Sequence, residues 1–464
     1  MNNLKKTIIL IIGLLILIPS AEAQESKKDK KTKEEKIKKG WNLGALPVVS
    51  YNSDLGFQYG ALVNLYDYGD GSKYPKYDHS LYFEASGYTK GSGLFRFYYD
   101  SEALIKGIRV SADLSYVPDQ AYSFYGFNGY DAVYNHDWEL QSSGEGIYKS
   151  RVFYRQKREF FRFKLDFQGK IAGNFRWLAG FNFFSIYTNS VDIDHLNKNK
   201  SDSDKLPDIE GLYDKYLRWG LIPESQKRGG MLTNFKLGVV FDTRDNEPNP
   251  MRGMWSEIIL ISAPKPLSNM DNGFTKLVVT HRQYFTLVKE KLSFVYRLGL
   301  QSTIAGEAPY YVEQIMYMSK MNGADSEGLG GAKTLRGVLR NRVIGDGIVY
   351  GNFEFRWKFA SAHWFNQNFY FALSTFFDTG KVIKDYEVED KVNTLIPSDF
   401  SSIDFPNDKK DNYFDFGAET FHNTVGGGLH IAMNQNFILA IDFGKALNEQ
   451  DGNTGIYIGL NFLF

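Results

Sequence analysis

The side chains best placed to do chemistry together are one guanidinium and two carboxylates, Arg336, Glu354 and Asp378. Glu354 lies in a stretch, 347–359, that alternates with period 2. Tyr350, Asn352, Glu354, Arg356 and Lys358 share one face, and Val349, Phe353, Phe355, Trp357 and Phe359 share the other. A strand charged on one side and aromatic on the other suits a membrane barrel, with water inside and lipid outside. That parity points Glu354 into the lumen. Asp378 follows Phe377 and takes the opposite face, so it points inward as well. Two inward acids on neighbouring strands suit bidentate pairing with an arginine fork, which a lysine does not reproduce.

Other candidates are weaker on their geometry. The seven histidines are scattered, and none has the i, i+4 helical spacing and acidic helper of a zinc protease. Asp78-His79-Ser80 offers a nucleophile beside a base, but adjacent strand residues point to opposite faces and cannot meet. Asp192, Asp194, Asp202, Asp204, Asp208 and Glu210 offer hard oxygen ligands in one loop, interleaved with Lys198, Lys200 and Lys205. That spacing lacks the glycine and terminal bidentate Glu of a calcium loop, so a solvated loop is expected. No helix follows Gly426-Gly427-Gly428, so this run marks a bend or a close backbone approach rather than a phosphate cradle. No enzyme, cofactor or metal site is expected.

These residues need strands to position them, and the chain supplies sixteen alternating segments broken by turn clusters. They fall near 43–51, 55–66, 79–89, 94–99, 107–116, 152–170, 175–187 and 232–242, then 255–262, 275–286, 292–303, 347–359, 369–377, 424–433, 437–445 and 455–464. An even number is what a single-chain barrel requires. Before them, residues 1–23 read as a signal peptide, with Lys5 and Lys6, an apolar core at 8–18 and an Ala21-Glu22-Ala23 cleavage box. Residues 24–40 form a highly charged, non-periodic periplasmic tail. The barrel domain is then 41–464, with both ends periplasmic and the long loops on the outer side.

Composition agrees with that reading. The chain has 464 residues, with 37 Phe, 30 Tyr and 44 Gly, which suits aromatic girdles and lipid-facing positions. Mean hydropathy is negative, and past the leader no stretch reaches the ~20 apolar residues of a spanning helix. Formal net charge is zero, which gives no electrostatic reason for a nucleic-acid partner. The chain has no Cys, which removes thiol catalysis, Cys-based zinc sites and a lipoprotein anchor.

Leu335-Arg336-Gly337-Val338 resembles the loop-six Arg-Gly signature of the BamA, TamA and FhaC outer-membrane superfamily, the bacterial surface antigen family. Glu354 sits where that family places one acid, and Phe377-Asp378-Thr379-Gly380 resembles its Phe-x-Asp-x-Gly pattern for the other. Val338 stands where the family usually has an aromatic. Asp242, Arg244, Asp245, Pro250 and Gly253 are similar to a second motif, at a periplasmic turn. The final aromatic, Phe464, resembles the signal by which such barrels are recognised for insertion, with nothing folded after it.

The resemblance implies a sixteen-stranded antiparallel transmembrane β-barrel of the bacterial outer membrane, with loop six folded into the lumen. In it Arg336 and Gly337 form a lock with Glu354 and Asp378. The superfamily's periplasmic substrate-handling modules are far longer than residues 24–40, so none is expected here. The expected role is outer-membrane biogenesis, inserting or translocating protein or lipid with a separate periplasmic partner. A passive pore or structural scaffold is the alternative. Expected partners are outer-membrane lipid and, during insertion, the barrel assembly machinery.

Overall fold

The computed structural model describes residues 37–464 apart from 75, 145, 199, 248, 320–327, 365–366, 434–436 and 461. The expected leader and most of the charged tail lie outside the described residues. Sixteen strands close into one antiparallel barrel in which each pairs with its neighbours in sequence. They are β1 (Trp41–Asn52), β2 (Gly56–Asp67), β3 (His79–Tyr88), β4 (Gly93–Ile105), β5 (Ile108–Ser123), β6 (Arg155–Ala172), β7 (Phe175–Asn189) and β8 (Gly230–Asp242). They continue as β9 (Gly253–Ala263), β10 (Phe274–Val288), β11 (Leu292–Gly306), β12 (Gly347–Trp364), β13 (Gln367–Lys384), β14 (His422–Met433), β15 (Phe437–Ala446) and β16 (Thr454–Leu460).

Alternation explains the wall. On β6, Arg158, Arg162, Lys164 and Asp166 are buried toward the lumen, while Phe161, Phe163, Leu165 and Phe167 turn outward. This inverts a soluble protein, because lipid is the solvent outside.

The observed strands differ from the expected ones at two telling places. Strand β13 runs on to Lys384, so Asp378 sits inside the ladder as the direct cross-strand partner of Asn352 rather than at a strand end. Strand β16 stops at Leu460, and its parity does not continue to the end of the chain. Phe462 and Phe464, which strict alternation would keep on one face with Ile456, are both buried inside. The Arg356 guanidinium lies 4.1 Å from the Phe462 ring centroid and His430 stacks at 4.4 Å. Phe464 packs on Tyr284 and Val295 from the opposite wall. Two rings leave the lipid side because cationic and aromatic partners inside take them up.

Closure between β1 and β16 is sparse. Tyr51 pairs with Ile458 and Asn52 with Tyr457, and no further residue of β1 is in register with β16. Every residue of β1 pairs with β2.

The long connections follow β5, β7, β11 and β13, all at the end expected to face outward. They form an aromatic core that includes Phe124, Tyr154, Tyr216, Trp219, Tyr310 and Tyr413. Lys149 sits 4.1 Å from the ring centroids of both Trp138 and Phe405 and pairs with Asp408. Burial pulls its pKa down to about 8, against the hydrogen bond to Asp408. Arg342 gives its guanidinium protons to the carbonyls of Gly129, Ala132 and Gln450, tying the segment after β11 to this cap.

Trp219 tests whether the cap is one unit. It contacts the rings of Phe400, Tyr413 and Phe414 and donates its indole N–H to the Asp399 carbonyl at 2.8 Å. Trp219→Ala is expected to cost the cap ~3–5 kcal/mol. Limited proteolysis should then cut the connections after β7 and β13 while the barrel keeps its heat-modifiable mobility on gels. Cutting at the wild-type rate would show that the cap does not cohere through this ring.

Candidate functional site

Residues 328–346 return from the cap and pack against the buried faces of β11 to β15, and Arg336 is at their centre. Its guanidinium is 1% exposed. Nε and Nη2 bond the two carboxylate oxygens of Asp378 at 2.9 and 3.1 Å, and the Arg336 backbone N–H reaches Asp378 at 3.1 Å. Nη1 donates to Glu354 at 3.2 Å. All three residues named from sequence are thus brought together, with Asp378 as the bidentate partner. Gly337 lies beside them with φ of 106°, its N–H bonded to the Tyr457 hydroxyl at 3.1 Å. A Cβ there would press on the Gly444 backbone, so the position requires glycine.

Strand alternation made Glu354 and Asp378 legible, but three further participants, Asp442, Phe376 and Arg356, were not singled out. Asp442 on β15 lies 3.6 Å from Nη1. The Phe376 ring takes the guanidinium 3.4 Å above its centroid. Gly426 leaves room for that ring, and Gly428 leaves room for the Asp442 carboxylate, so the glycine run permits close approach. Arg356 bonds the second oxygen of Glu354 at 2.9 Å and the Phe464 carbonyl at 3.0 Å. The sequence signal for Phe376, Arg356 and Asp442 was inward parity, which each shares with Glu354 or Asp378. Val338, lacking the family's aromatic ring, is fully buried with Leu335, Val343, Tyr350 and Val382.

The turn after β8 forms a second constellation. Arg244 pairs with both oxygens of Asp242 at 2.9 and 2.8 Å. Asp245 accepts from the Met251 N–H at 3.0 Å and the Arg252 N–H at 3.4 Å, closing the turn on itself. Pro250 is buried, and Gly253 has φ of 95° with the Thr243 carbonyl where a Cβ would stand. Asn249 donates to the Tyr370 hydroxyl on β13 at 2.5 Å, so the turn reaches across the barrel mouth.

The side chains of the other candidates find local partners among the described residues. His79 pairs with the Tyr99 hydroxyl at 2.9 Å, while Ser80 is buried on the other face. In the acidic loop, Asp202 pairs with Lys205, Glu210 pairs with Lys215 and Arg218, and Asp192 caps the short helix Ile193–Asn197. Among the described residues no three His, Asp or Glu side chains are grouped to hold a metal ion.

The geometry ranks the partners of Arg336. Removing one member of a buried pair typically costs ~3–5 kcal/mol. Arg336→Ala is expected to lose that much and expose 328–346 to protease, and Arg336→Lys should not restore it, because lysine has no fork. Asp378→Asn should cost more than Glu354→Gln, since Asp378 holds three of the four hydrogen bonds that Arg336 gives to these acids. Thermal unfolding of the four variants in detergent measures this order. Equal losses for the two acids would contradict it.

The Omp85 superfamily domain matches residues 103–464. The barrel is similar to BamA from Haemophilus ducreyi lacking POTRA domains 1-3, with TM-score 0.52 and 15% identity over 92% of this chain and 71% of that one. It is also similar to CdiB from Escherichia coli, with TM-score 0.50 and 10% identity over 90% of this chain and 62% of that one. No curated protein matches by sequence. Identities this low carry the fold alone, whereas the family match spans most of the chain and agrees with the barrel and its Arg-Gly segment. The chain belongs to the Omp85 superfamily and is a sixteen-stranded β-barrel of the bacterial outer membrane.

Proposed function

We propose that this barrel assists outer-membrane biogenesis, inserting or translocating protein or lipid through the seam between β1 and β16, with a separate periplasmic partner that brings the substrate. The observation that carries this reading is the seam itself: two residue pairs join β1 to β16, against an unbroken ladder of twelve between β1 and β2. Residues 328–346 act as the returning sixth loop, and Arg336 with Asp378 and Glu354 locks it in the lumen beside that seam. The Asp242 to Gly253 turn faces the periplasm, where the partner docks. Phe464 serves as the insertion signal before the barrel folds and takes its buried place afterwards. Catalysis has no part in this reading.

A passive pore fits less well. The outer end is covered by the aromatic cap, the middle is crossed by 328–346, and Asn249 bridges to Tyr370 at the other mouth. A structural scaffold would need no weak edge, and a sparse β1–β16 pairing is a liability for a wall that only has to stand.

With no native cysteine in the chain, the seam can be locked selectively. Tyr51→Cys with Ile458→Cys places two thiols at a paired position. Oxidation should abolish complementation of a deletion strain, and reductant should restore it. Growth, envelope integrity and outer-membrane composition that are unchanged by the closed disulfide would sink the biogenesis reading.

A further inference from the structure

One buried lysine is set against two carboxyl groups that the lock around Arg336 does not use. Lys276, on β10, is fully buried, and its ammonium donates to Glu313 Oε2 at 2.6 Å. Glu313 ends the short helix Tyr310–Glu313 and is buried as well. Asp346, just before β12, brings Oδ1 to 4.0 Å from the same ammonium. The register explains the meeting. Lys276 pairs with Thr303 on β11, the Thr303 N–H bonds the Asp346 carbonyl at 3.1 Å, and Gly347 pairs with Lys384 on β13. These residues therefore stand in one row across the outer end of the wall.

The side chains of Glu313 and Asp346 are hydrogen-bonded to each other. Two ionised carboxylates have no donor between them, so this bond requires a shared proton. Lys384 holds Asp346 Oδ2 at 2.5 Å, which keeps the charge on Asp346 and leaves the proton with Glu313. Burial pushes the Glu313 carboxyl up to about 8 against the pull of Lys276, and Asp346 adds to the push. The surroundings are apolar, since Phe274, Val312, Ile315 and Ile344 are buried in one cluster with the helix. Such a medium disfavours an ion pair relative to a neutral amine beside a neutral acid. An amine, a carboxyl in its acid form and a second carboxyl to carry protons are the parts that amide formation needs.

We propose that Lys276 and Glu313 join in an intramolecular isopeptide bond once the barrel has folded, with Asp346 as the proton relay. The Lys276 nitrogen attacks Glu313 Cδ. An N–C bond forms, one Cδ–O bond breaks, and the departing hydroxyl leaves as water with the proton that Asp346 carries to it from the amine. Nothing is oxidised or reduced, and no other reactant enters. The bond ties the wall at β10 to the start of the connection after β11, whose last residue, Asp346, stands in the same row. The returning segment 328–346 thereby gains a covalent root, in a chain with no cysteine for a disulfide. Two other buried lysine–acid pairs differ in their relay. Beside Lys236 and Asp166, the acid Asp113 is held by Arg96 and Arg162, and Glu210, the partner of Lys215, is shared with Arg218.

The test compares the full chain recovered unfolded from inclusion bodies with the same chain after folding into non-ionic detergent, both read by intact-mass spectrometry under denaturing conditions. The folded chain is expected to be lighter by one water. A tryptic map should then contain the Lys276 and Glu313 peptides as one joined species, with cleavage after Lys276 lost. Lys276→Arg keeps the charge and should lose both signs. Asp346→Asn should slow formation at least about a hundred-fold, followed as the joined fraction against time after refolding. Heat-modifiable mobility reports that the variants are folded, and where one is not, the wild-type peptide map decides alone. A folded wild-type chain of undiminished mass overturns the proposal, as does a joined species at other residues or one that persists in Lys276→Arg. Formation at the wild-type rate in folded Asp346→Asn overturns the relay. The biogenesis reading is untouched by any of these results, because the seam takes no part in the bond.

Discussion

The buried guanidinium of Arg336 is the constraint around which the rest of the lumen is arranged. A charge taken out of water is tolerated only with opposite charges and hydrogen bonds around it. Arg336 obtains both from two adjacent strands, through Asp378 on β13 and Glu354 on β12. Asp378 cannot lose the arginine without becoming an unpaired buried charge, and Glu354 would keep only Arg356, so the returning segment and the two strands hold one another in register. The effect spreads outward through contacts that only small residues allow. Phe376 lies under the guanidinium because Gly426 has no side chain, and the Arg336 carbonyl accepts from Thr424 at 2.5 Å because Gly444 lets the backbone come close.

The same segment reaches both banks of the seam, but with weaker bonds. Gly337 donates one N–H to the Tyr457 hydroxyl on β16, and Arg340 donates one N–H to Asp54 in the β1–β2 turn at 3.3 Å. Beside them the seam has its two residue pairs and the Ser53–Ile456 contacts at 2.7 and 3.1 Å. Hydrogen bonds of this kind are each worth a net ~0.5–1.5 kcal/mol. The lock on β12 and β13 and the clasp on β1 and β16 therefore belong to different energy classes, although one stretch of chain makes both.

Much of this was legible in the chain. Period 2 alternation gave all sixteen strands, and parity alone put Glu354 and Asp378 on the inner face, because a strand has no other way to separate charge from lipid. The Arg336 contact followed from family resemblance, since no periodicity can say where a long loop returns. The cap was not legible. Its Tyr, Trp and Phe side chains are spread over four connections without a repeating period, and their common core appears only when the barrel brings those connections to one end. The tail of β16 misled for a related reason. Alternation continues through Phe462 and Phe464, but the pattern does not record that β1 offers no partner there, while Arg356 and Tyr284 across the lumen do.

These features bear on how a barrel with a filled interior can act at all. The cap, the returning segment on the inner faces of β12 and β13 and the turn that reaches Tyr370 crowd the interior, and the proposed function accordingly takes substrate through the wall. A wall opens where the fewest bonds must break. Between β12 and β13 the ladder runs from Gly347 to Trp364 and is reinforced by Arg336. Between β1 and β16 it is reduced to Tyr51 and Asn52 with their partners, and the chain beyond Leu460 turns away from β1 into the lumen. The inward turn has an electrostatic cause, because Arg356 is shared between Glu354, the Phe462 ring and the Phe464 carbonyl. Glu354 thus faces two arginines, one on the returning segment and one that holds the end of the chain off the seam. The carboxylate that fixes the loop is, through Arg356, also a reason the last strand pairs with β1 over only two residues.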